Sequence, residues 1–555
     1  MVPRITEFPR RTDVLVVGAG PTGLSLACRL AKKGIDHIVV DHAPAGANIS
    51  YGAVVHARTL EVLESIDVSA PLVRRGITVP HFALRDRDDK LLAVDFSELP
   101  TRYPFALMVP QSIAEDVLLE QLAYYGSSVL RPVTAVGLEQ DAEGVTVELW
   151  DGSTRSGNPS RRSVLARYVV GCDGMHSQIR SALEMPFIGW SRAVSFVAAD
   201  IHMQWSLPRS EVQLFFSEKG LLVVAPLLDD QHRIVALVEH GDAKPGRDEV
   251  QELLTTRGPR ASAAVVRDVV WSARFLVHDR VVTHYRSGRI FLAGDAAHVH
   301  SPAAGQAMNA GIQDALHLAD KLSDVISGRA DVSVLDRYEE ERRPVAESIL
   351  GVTHRLTRVA TMRGRVAPKI RNRSLRFVSK FPAVRRRFAH RLSGLEQAVT
   401  TLRGRAGENK FLYVGTLLLV ALLLGTSFAH ALELPQKMRA DGALWLTFQR
   451  SLYPFFAYVG GPIEGAALVS ICLLAVKRRR AQRSYAASVA AAACILLAFA
   501  IWVTLIQPVN AEIGALGAGV VPYQWAAMRS QWEFSHLSRF VLHLCGFVLL
   551  ASARP

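Results

Sequence analysis

The chain has 555 residues, too many for one simple core, so two or three domains are expected. Hydrophobic residues make up 49% of it and the mean hydropathy is +0.17, which argues against a wholly soluble protein and for some membrane content. The net charge of +13 is uneven: residues 354–410 hold sixteen Lys or Arg against two acids, Glu396 and Glu408, and the remainder is close to neutral. Such a block suits an anionic membrane surface or a nucleic acid, and its place just before an apolar segment favours the membrane. Five cysteines form no CxxC pair and three lie in apolar runs, so neither a disulfide framework nor a zinc site is expected, and the first two thirds of the chain reads as intracellular.

Arg10-Arg11 before an apolar stretch superficially resembles an export signal. The stretch, however, is Val14-Leu15-Val16-Val17 running into glycines, which reads as a buried parallel strand over 13–17. Gly18-Ala19-Gly20-Pro21-Thr22-Gly23 follows, then a helical pattern through Leu24, Leu26, Leu30 and Ala31 that Gly34 ends. Ile38-Val39-Val40 forms a second strand closed by Asp41. Gly18 permits a tight turn, Gly20 lets the backbone approach a pyrophosphate, and Gly23 allows close helix–strand packing, with the helix N-terminus facing the phosphates. Asp41, eighteen residues after Gly23, suits a carboxylate that accepts hydrogen bonds from ribose hydroxyls. These residues specify a dinucleotide without choosing between NAD and FAD.

Further along stand Arg58-Thr59-Leu60-Glu61 and Val109-Pro110-Gln111, then Tyr168-Val169-Val170-Gly171-Cys172-Asp173-Gly174-Met175-His176-Ser177 with Arg180. Residues 193–203, 212–216, 221–226 and 233–239 read as strands of an antiparallel sheet. Gly288-Arg289-Ile290-Phe291-Leu292-Ala293-Gly294-Asp295-Ala296-Ala297-His298 comes next, followed by Pro302, Gly305-Gln306, Asn309, Gly311 and Asp314-Ala315. Three motifs in this order resemble the FAD-dependent aromatic hydroxylases, the single-component flavoprotein monooxygenases, over residues of about 10–350.

That resemblance implies FAD as the dinucleotide. Asp295 would hydrogen-bond the ribityl chain, and the loop from Pro302 through Gly305 and Ala307 to Asn309 would lie against the isoalloxazine ring, its backbone amides stabilising negative charge on the reduced flavin. Asp173 would sit near the pyrophosphate, Arg58 would reach the phosphates, and Gln111 would stand near the ribityl chain. Gly294 belongs to the same cofactor set. Ala307 departs from the family, which usually has Gly there, and bears on ring mobility rather than on flavin binding. His298 reads as part of the structural loop pattern, and no catalytic residue is assigned. The sheet, with residues near 76–100, would form the floor of a substrate pocket, and Phe215, Phe216, Leu221 and Leu222 make a flat apolar substrate plausible. NADPH or NADH would bind transiently and reduce the flavin, O2 would form a C4a-hydroperoxide, and one oxygen would pass to the substrate. The tryptophan-rich motif of flavin halogenases is absent.

The last 145 residues read as membrane. Residues 411–432, 454–476 and 485–506 are each long enough to cross about 30 Å of hydrocarbon, and 536–553 is a shorter fourth segment. Lys477-Arg478-Arg479-Arg480 and the basic block before the first segment place the flavin part and the C-terminus on the cytoplasmic side. Glu464, His430, Glu433 and a stripe of Glu533, His536, Phe540 and His543 lie within or beside these segments. With Pro508-Val509-Asn510, Trp525, Arg529, Trp532 and Arg539 they resemble the anthrone-oxygenase-like four-helix membrane proteins over about 412–553. The resemblance implies a second oxygenase or a relic of one. The residues alone leave open hydrogen bonding between helices, a second site for an aromatic, and a His/Glu metal site, and no metal ligand is assigned.

The expected fold class is α/β: a Rossmann-type FAD-binding domain with an antiparallel substrate sheet, then an all-α bundle of about four transmembrane helices. The domains are 1–350, a basic linker 351–410, and 411–555. The expected function is a membrane-anchored, NAD(P)H-using monooxygenase that hydroxylates or epoxidises an apolar, polyketide- or quinone-like aromatic. Its partners are that substrate, O2, NAD(P)H and lipid, with no nucleic acid. A quinone- or isoprenoid-directed hydroxylase or reductase, and a membrane protein with a regulatory flavin domain, stay open. The substrate, the choice of NADH or NADPH and the oligomeric state are not legible.

Overall fold

Val14, Leu15 and Val16 are wholly buried in the computed structural model. It describes residues 8–46, 52–152, 160–217, 219–238, 242–261, 263–301, 305–360, 362, 364, 366–395, 406–479, 482–517 and 520–552. The chain divides into two units, Met1–Leu402 and Arg403–Pro555.

In the first unit the strand Arg11–Val17 runs parallel to His37–Val40 on one side and to Ser160–Gly171 on the other, with Val14 opposite both His37 and Tyr168. Ile290–Leu292 continues the sheet, parallel to Ser160–Gly171, and Val129–Leu130 extends the other edge. Val and Ile buried on both faces are what a parallel sheet covered by helices requires. Helix Pro21–Lys32 packs against helix Ala307–Ile326 and helix Gln111–Tyr124. Because Arg11–Val17, Ser160–Gly171 and Ile290–Leu292 are parallel neighbours, their C-terminal ends share one edge. The three glycine motifs, each at a strand end, therefore meet there.

A second, eight-stranded sheet is antiparallel except where Glu211–Ser217 runs parallel to His81–Asp86. Its long central pair is Phe187–Gln204 and Val265–Val282, followed by Gln231–Val238, Gly220–Pro226 and Glu211–Ser217. The four strands expected from residue alternation all lie in this sheet, Glu239 falling outside the described residues. Alternation sorts the faces. Val197, Ala199 and Ile201 pack with Val250, Leu253 and Leu254 of helix Arg247–Arg257. Phe196, Leu214 and Phe216 join Phe82, Phe96, Ala53 and Met108 on the other face, which also takes Ala360, Ala389 and Leu395. Helices Asp336–Ala360, Ala367–Val378 and Pro382–Leu392 carry most of the basic segment and belong to this unit.

The second unit holds four helices long and apolar enough to cross a membrane: Leu412–Lys437, Tyr458–Arg478, Ser484–Ala515 and Trp525–Ser552. Each packs on two others in a closed ring, first on second, second on third, third on fourth, fourth on first. The fourth starts well before the apolar segment at 536, and Glu533 and His536 turn inward while Phe534 and Val541 face outward. Pro508 donates no backbone hydrogen bond, and the third helix takes a π-turn over Trp502–Ile506 just before it.

Candidate functional site

The turn after the first strand is set by contact with the second motif. Gly18 has φ +102°, and a Cβ on it would lie 2.4 Å from the Cys172 carbonyl oxygen. The third motif closes on the first through Thr22, whose Oγ1 would stand 2.5 Å from a Cβ on Gly294 and 2.3 Å from one on Gly311. Arg180 fastens the second motif to the third, donating to the carbonyls of Met175 (2.6 Å) and Ala296 (3.1 Å). Motifs more than a hundred residues apart thus form one edge, as the parallel register requires.

Around this edge the residues fit a dinucleotide. A Cβ on Gly20 would meet no protein atom within 4 Å, leaving the approach to the helix open. Helix Pro21–Lys32 has no side-chain cap at Gly20, so its first amides face that opening. Asp41 is oriented by the amides of Ala19 (2.6 Å) and Ala43 (2.8 Å), one to each carboxylate oxygen. Asp173 accepts from the amides of Gln178 (2.7 Å) and Ile179 (3.2 Å) through Oδ2, while its Oδ1 is buried without a hydrogen-bond partner. Asp295 is half-buried and has no hydrogen bond to a described residue, and desolvation pushes its carboxyl up from the usual range. These groups are complementary to phosphates, ribose and a polyhydroxyl chain.

The other expected cofactor residues differ in what they touch. Asn309 is buried and spent on protein: Nδ2 donates to the carbonyls of Gly305 (2.7 Å) and Val54 (2.9 Å), and Oδ1 accepts from the His56 amide (2.8 Å). It positions the loop. Gly305, at φ +61°, closes on Val54 from the same side. Ala307 begins helix Ala307–Ile326. Gln111 begins helix Gln111–Tyr124 and donates to Glu115 at 2.9 Å. Arg58 is partly exposed, paired with Glu61 at 3.0 Å. Pro302 lies outside the described residues.

Helix Ala307–Ile326 carries Asp314 into a buried ionic group. His298 Nε2 lies 2.6 Å from Asp314, Arg342 Nε donates to the other Asp314 oxygen at 2.6 Å, and Tyr285 stacks on the His298 ring. Burial alone would raise the Asp314 carboxyl, but Arg342 and His298 outweigh it and hold it below the ordinary value. His300 is buried, and burial with neighbouring His298 pushes its imidazole down to about 3. Arg342 escapes a sequence reading because it sits in Glu339-Glu340-Glu341-Arg342-Arg343, which looks like a solvated helix face.

In the second unit, Glu464 accepts from Arg539 (2.7 Å) and lies 3.4 Å from His543, which also meets Ser427 at 3.0 Å. Nearby, Trp445 donates to Glu533 (3.1 Å), Lys437 pairs with Glu433 (2.7 Å), and Tyr453 donates to Glu433. The rings of His430 and His536 are 4.2 Å apart, with Trp532 against both. Among the described residues no group of three or more His, Cys, Asp or Glu is placed to hold a metal ion.

The sequence family described as FAD binding domain matches residues 11–353. The chain is 35% identical over 386 residues to 6-methylpretetramide 4-monooxygenase of Streptomyces rimosus, covering 68% of each chain. It is 31% identical over 359 residues to pentachlorophenol 4-monooxygenase of Sphingobium chlorophenolicum, covering 63% of this chain and 65% of that one. Among solved structures, the anhydrotetracycline hydroxylase of Streptomyces rimosus aligns with a TM-score of 0.58 at 32% identity, over 70% of this chain and 76% of that chain. The four apolar helices lie beyond the matched family segment.

Proposed function

Since the chain belongs to the FAD-binding family of aromatic monooxygenases, we propose that it is a membrane-anchored member that uses NAD(P)H and O2 to oxygenate an apolar aromatic of polyketide or quinone type. The observation that carries the cofactor side is the convergence of Gly18, Thr22, Cys172 and Gly294 on one strand edge, with the Asp295 carboxylate beside it making no hydrogen bond to a described residue. The first helix amides would hold the pyrophosphate, Asp41 the ribose and Asp295 the ribityl hydroxyls. Asn309 and Gly305 keep the loop backbone aimed at the ring. Bound FAD supplies the oxygen activation, with two electrons from NAD(P)H. One atom of O2 enters the substrate and the other leaves as water.

The protein's part is to exclude water and present an apolar ring. The face of the second sheet bearing Phe82, Phe96, Phe196 and Phe216, with Met108 and Ala53 in the same cluster, supports an apolar substrate. The four apolar helices support anchoring where such compounds partition, and the basic residues at 477–479 support a cytoplasmic flavin unit. The test is NADPH and NADH oxidation with oxygen uptake by detergent-solubilised full-length protein, without and with polycyclic phenols, anthrones and quinols, followed by mass analysis under ¹⁸O2. One ligand class should stimulate both signals and gain one labelled oxygen. Ligand reduction without oxygen uptake would overturn the reading in favour of a reductase of quinones or isoprenoid double bonds.

A further inference from the structure

We infer that helices Ala367–Val378 and Pro382–Leu392 form a docking face for an anionic bilayer surface, separate from the four apolar helices. The inference rests on the membrane reading above only in needing a bilayer within reach.

One side of the pair is committed to the first unit. Pro368 and Arg371 are buried, and Leu375, Phe388, Ala389 and Leu392 join the cluster around Phe82 and Phe96. Arg376 reaches Asp89 at 2.6 Å and Asn372 donates to Asp86, which fixes the pair to the sheet edge. The opposite side is then defined by helical spacing. Val366, Ile370 and Phe377 lie opposite the buried positions of the first helix, Phe381 and Val384 follow in the turn and the second helix, and all five are between 41% and 65% exposed. The Phe377 and Phe381 rings meet edge to face at 5.2 Å, so the exposed apolar residues of the two helices join at the turn between them.

Cations frame these residues. Lys369, Arg373, Lys380, Arg385, Arg386 and Arg387 are all exposed, and no Asp or Glu occurs between Glu347 and Glu396. Acids of the sheet edge take part of this charge, Arg376 pairing with Asp89 and Arg385 lying near Asp95, but Lys369, Arg373, Lys380 and Arg387 add an excess of exposed cations that a soluble partner with an apolar groove would not explain. A nucleic acid would explain the charge but not five exposed large apolar side chains. An anionic lipid surface satisfies both: phosphates take the cations while the apolar residues enter the acyl boundary. The first apolar helix begins twenty residues after Leu392, so a bilayer that holds it is near in the chain. The far end of the pair touches the candidate flavin loop, where Leu392 accepts from Gln306 (2.9 Å) and Ser393 from the Arg58 amide (3.1 Å).

The test is amide hydrogen exchange of the full chain in nanodiscs of phosphatidylcholine alone or with phosphatidylglycerol. Amides of 366–392 should exchange at least about tenfold more slowly in the anionic discs, and high salt should reduce the effect. Phe377→Asp with Phe381→Asp should remove that protection at unchanged flavin content, which reports that the first unit is folded. Equal exchange in the two discs, or protection by heparin but not by anionic discs, overturns the proposal. Entry into discs is a separate result: a chain that does not enter them overturns the anchoring reading, and preformed vesicles of the two compositions then decide the docking face.

Discussion

His298 and Asp314 face each other at 2.6 Å with both side chains 1% exposed. Arg342 holds the second Asp314 oxygen, so one carboxylate balances two buried partners. Asp314→Asn leaves the Arg342 guanidinium buried without its counter-charge, which costs about 3–5 kcal/mol. Urea unfolding followed by flavin release should move accordingly, and a loss under about 1 kcal/mol would refute the role. The pH dependence has a definite sign. The folded-state carboxyl sits below its ordinary value, so the unfolded chain binds more protons in the interval between. The contribution is fully present above the ordinary carboxylate range and is lost as pH falls through the depressed value.

Gly20 and Gly23 separate binding from folding. A Cβ at Gly20 meets no protein atom within 4 Å, and its φ of −79° is open to any residue. Gly20→Val should therefore fold within about 0.5 kcal/mol of the parent while losing at least tenfold in FAD affinity, since the side chain fills the pyrophosphate's approach. A Cβ at Gly23 would stand 1.9 Å from the Gly18 carbonyl oxygen, so Gly23→Ala should lower stability itself. Flavin titration beside thermal unfolding distinguishes the two, and normal FAD affinity in Gly20→Val would displace the phosphate from this turn.

Asp295 carries the opposite balance to Asp314. Its carboxyl is raised by burial, so the charged form is a cost to the flavin-free chain above that raised value, relieved as pH falls through it. Asp295→Asn should make the flavin-free protein more stable by about 1 kcal/mol at neutral pH, yet weaken FAD binding. Thermal unfolding with and without added FAD reads both effects. A variant that gains stability and keeps full flavin affinity would remove Asp295 from the ribityl site.

The strands and motifs were legible because each depends on local pattern: the apolar run Val14–Val17, the glycines at fixed offsets, the alternation at 212–216. Parallel pairing then dictates that Gly18, Cys172 and Gly294 meet. What the pattern could not carry are contacts made by side chains whose neighbours are distant in sequence. Asn309 looks like a cofactor ligand by position but satisfies Val54, Gly305 and His56. Arg342 looks solvated in its charged run but is buried against Asp314. The basic segment 351–410 reads as a linker by charge, whereas its apolar positions, Leu375 and Ala389 among them, pack on the second sheet.

Glu464 tests what the polar groups of the second unit are for. Its carboxylate takes Arg539 on one oxygen and stands near His543 on the other, all within helices apolar enough to span a bilayer. If charge pairing is its whole role, Glu464→Leu strands the Arg539 guanidinium in hydrocarbon at about 3 kcal/mol. Removing that charge as well, in Glu464→Leu with Arg539→Leu, should then recover most of the loss. Helicity against temperature in nanodiscs gives the cycle, with flavin content as an internal standard because Asp295 and the glycine motifs lie in the other unit. Recovery in the double variant identifies the pair as a bond between helices. A double variant as unstable as the single one would mean that Arg539 has further partners in the bundle. A double variant that is stable but has lost substrate-dependent oxygen uptake would mean that Glu464 and Arg539 serve a ligand, because no pairing argument links them to turnover at the flavin.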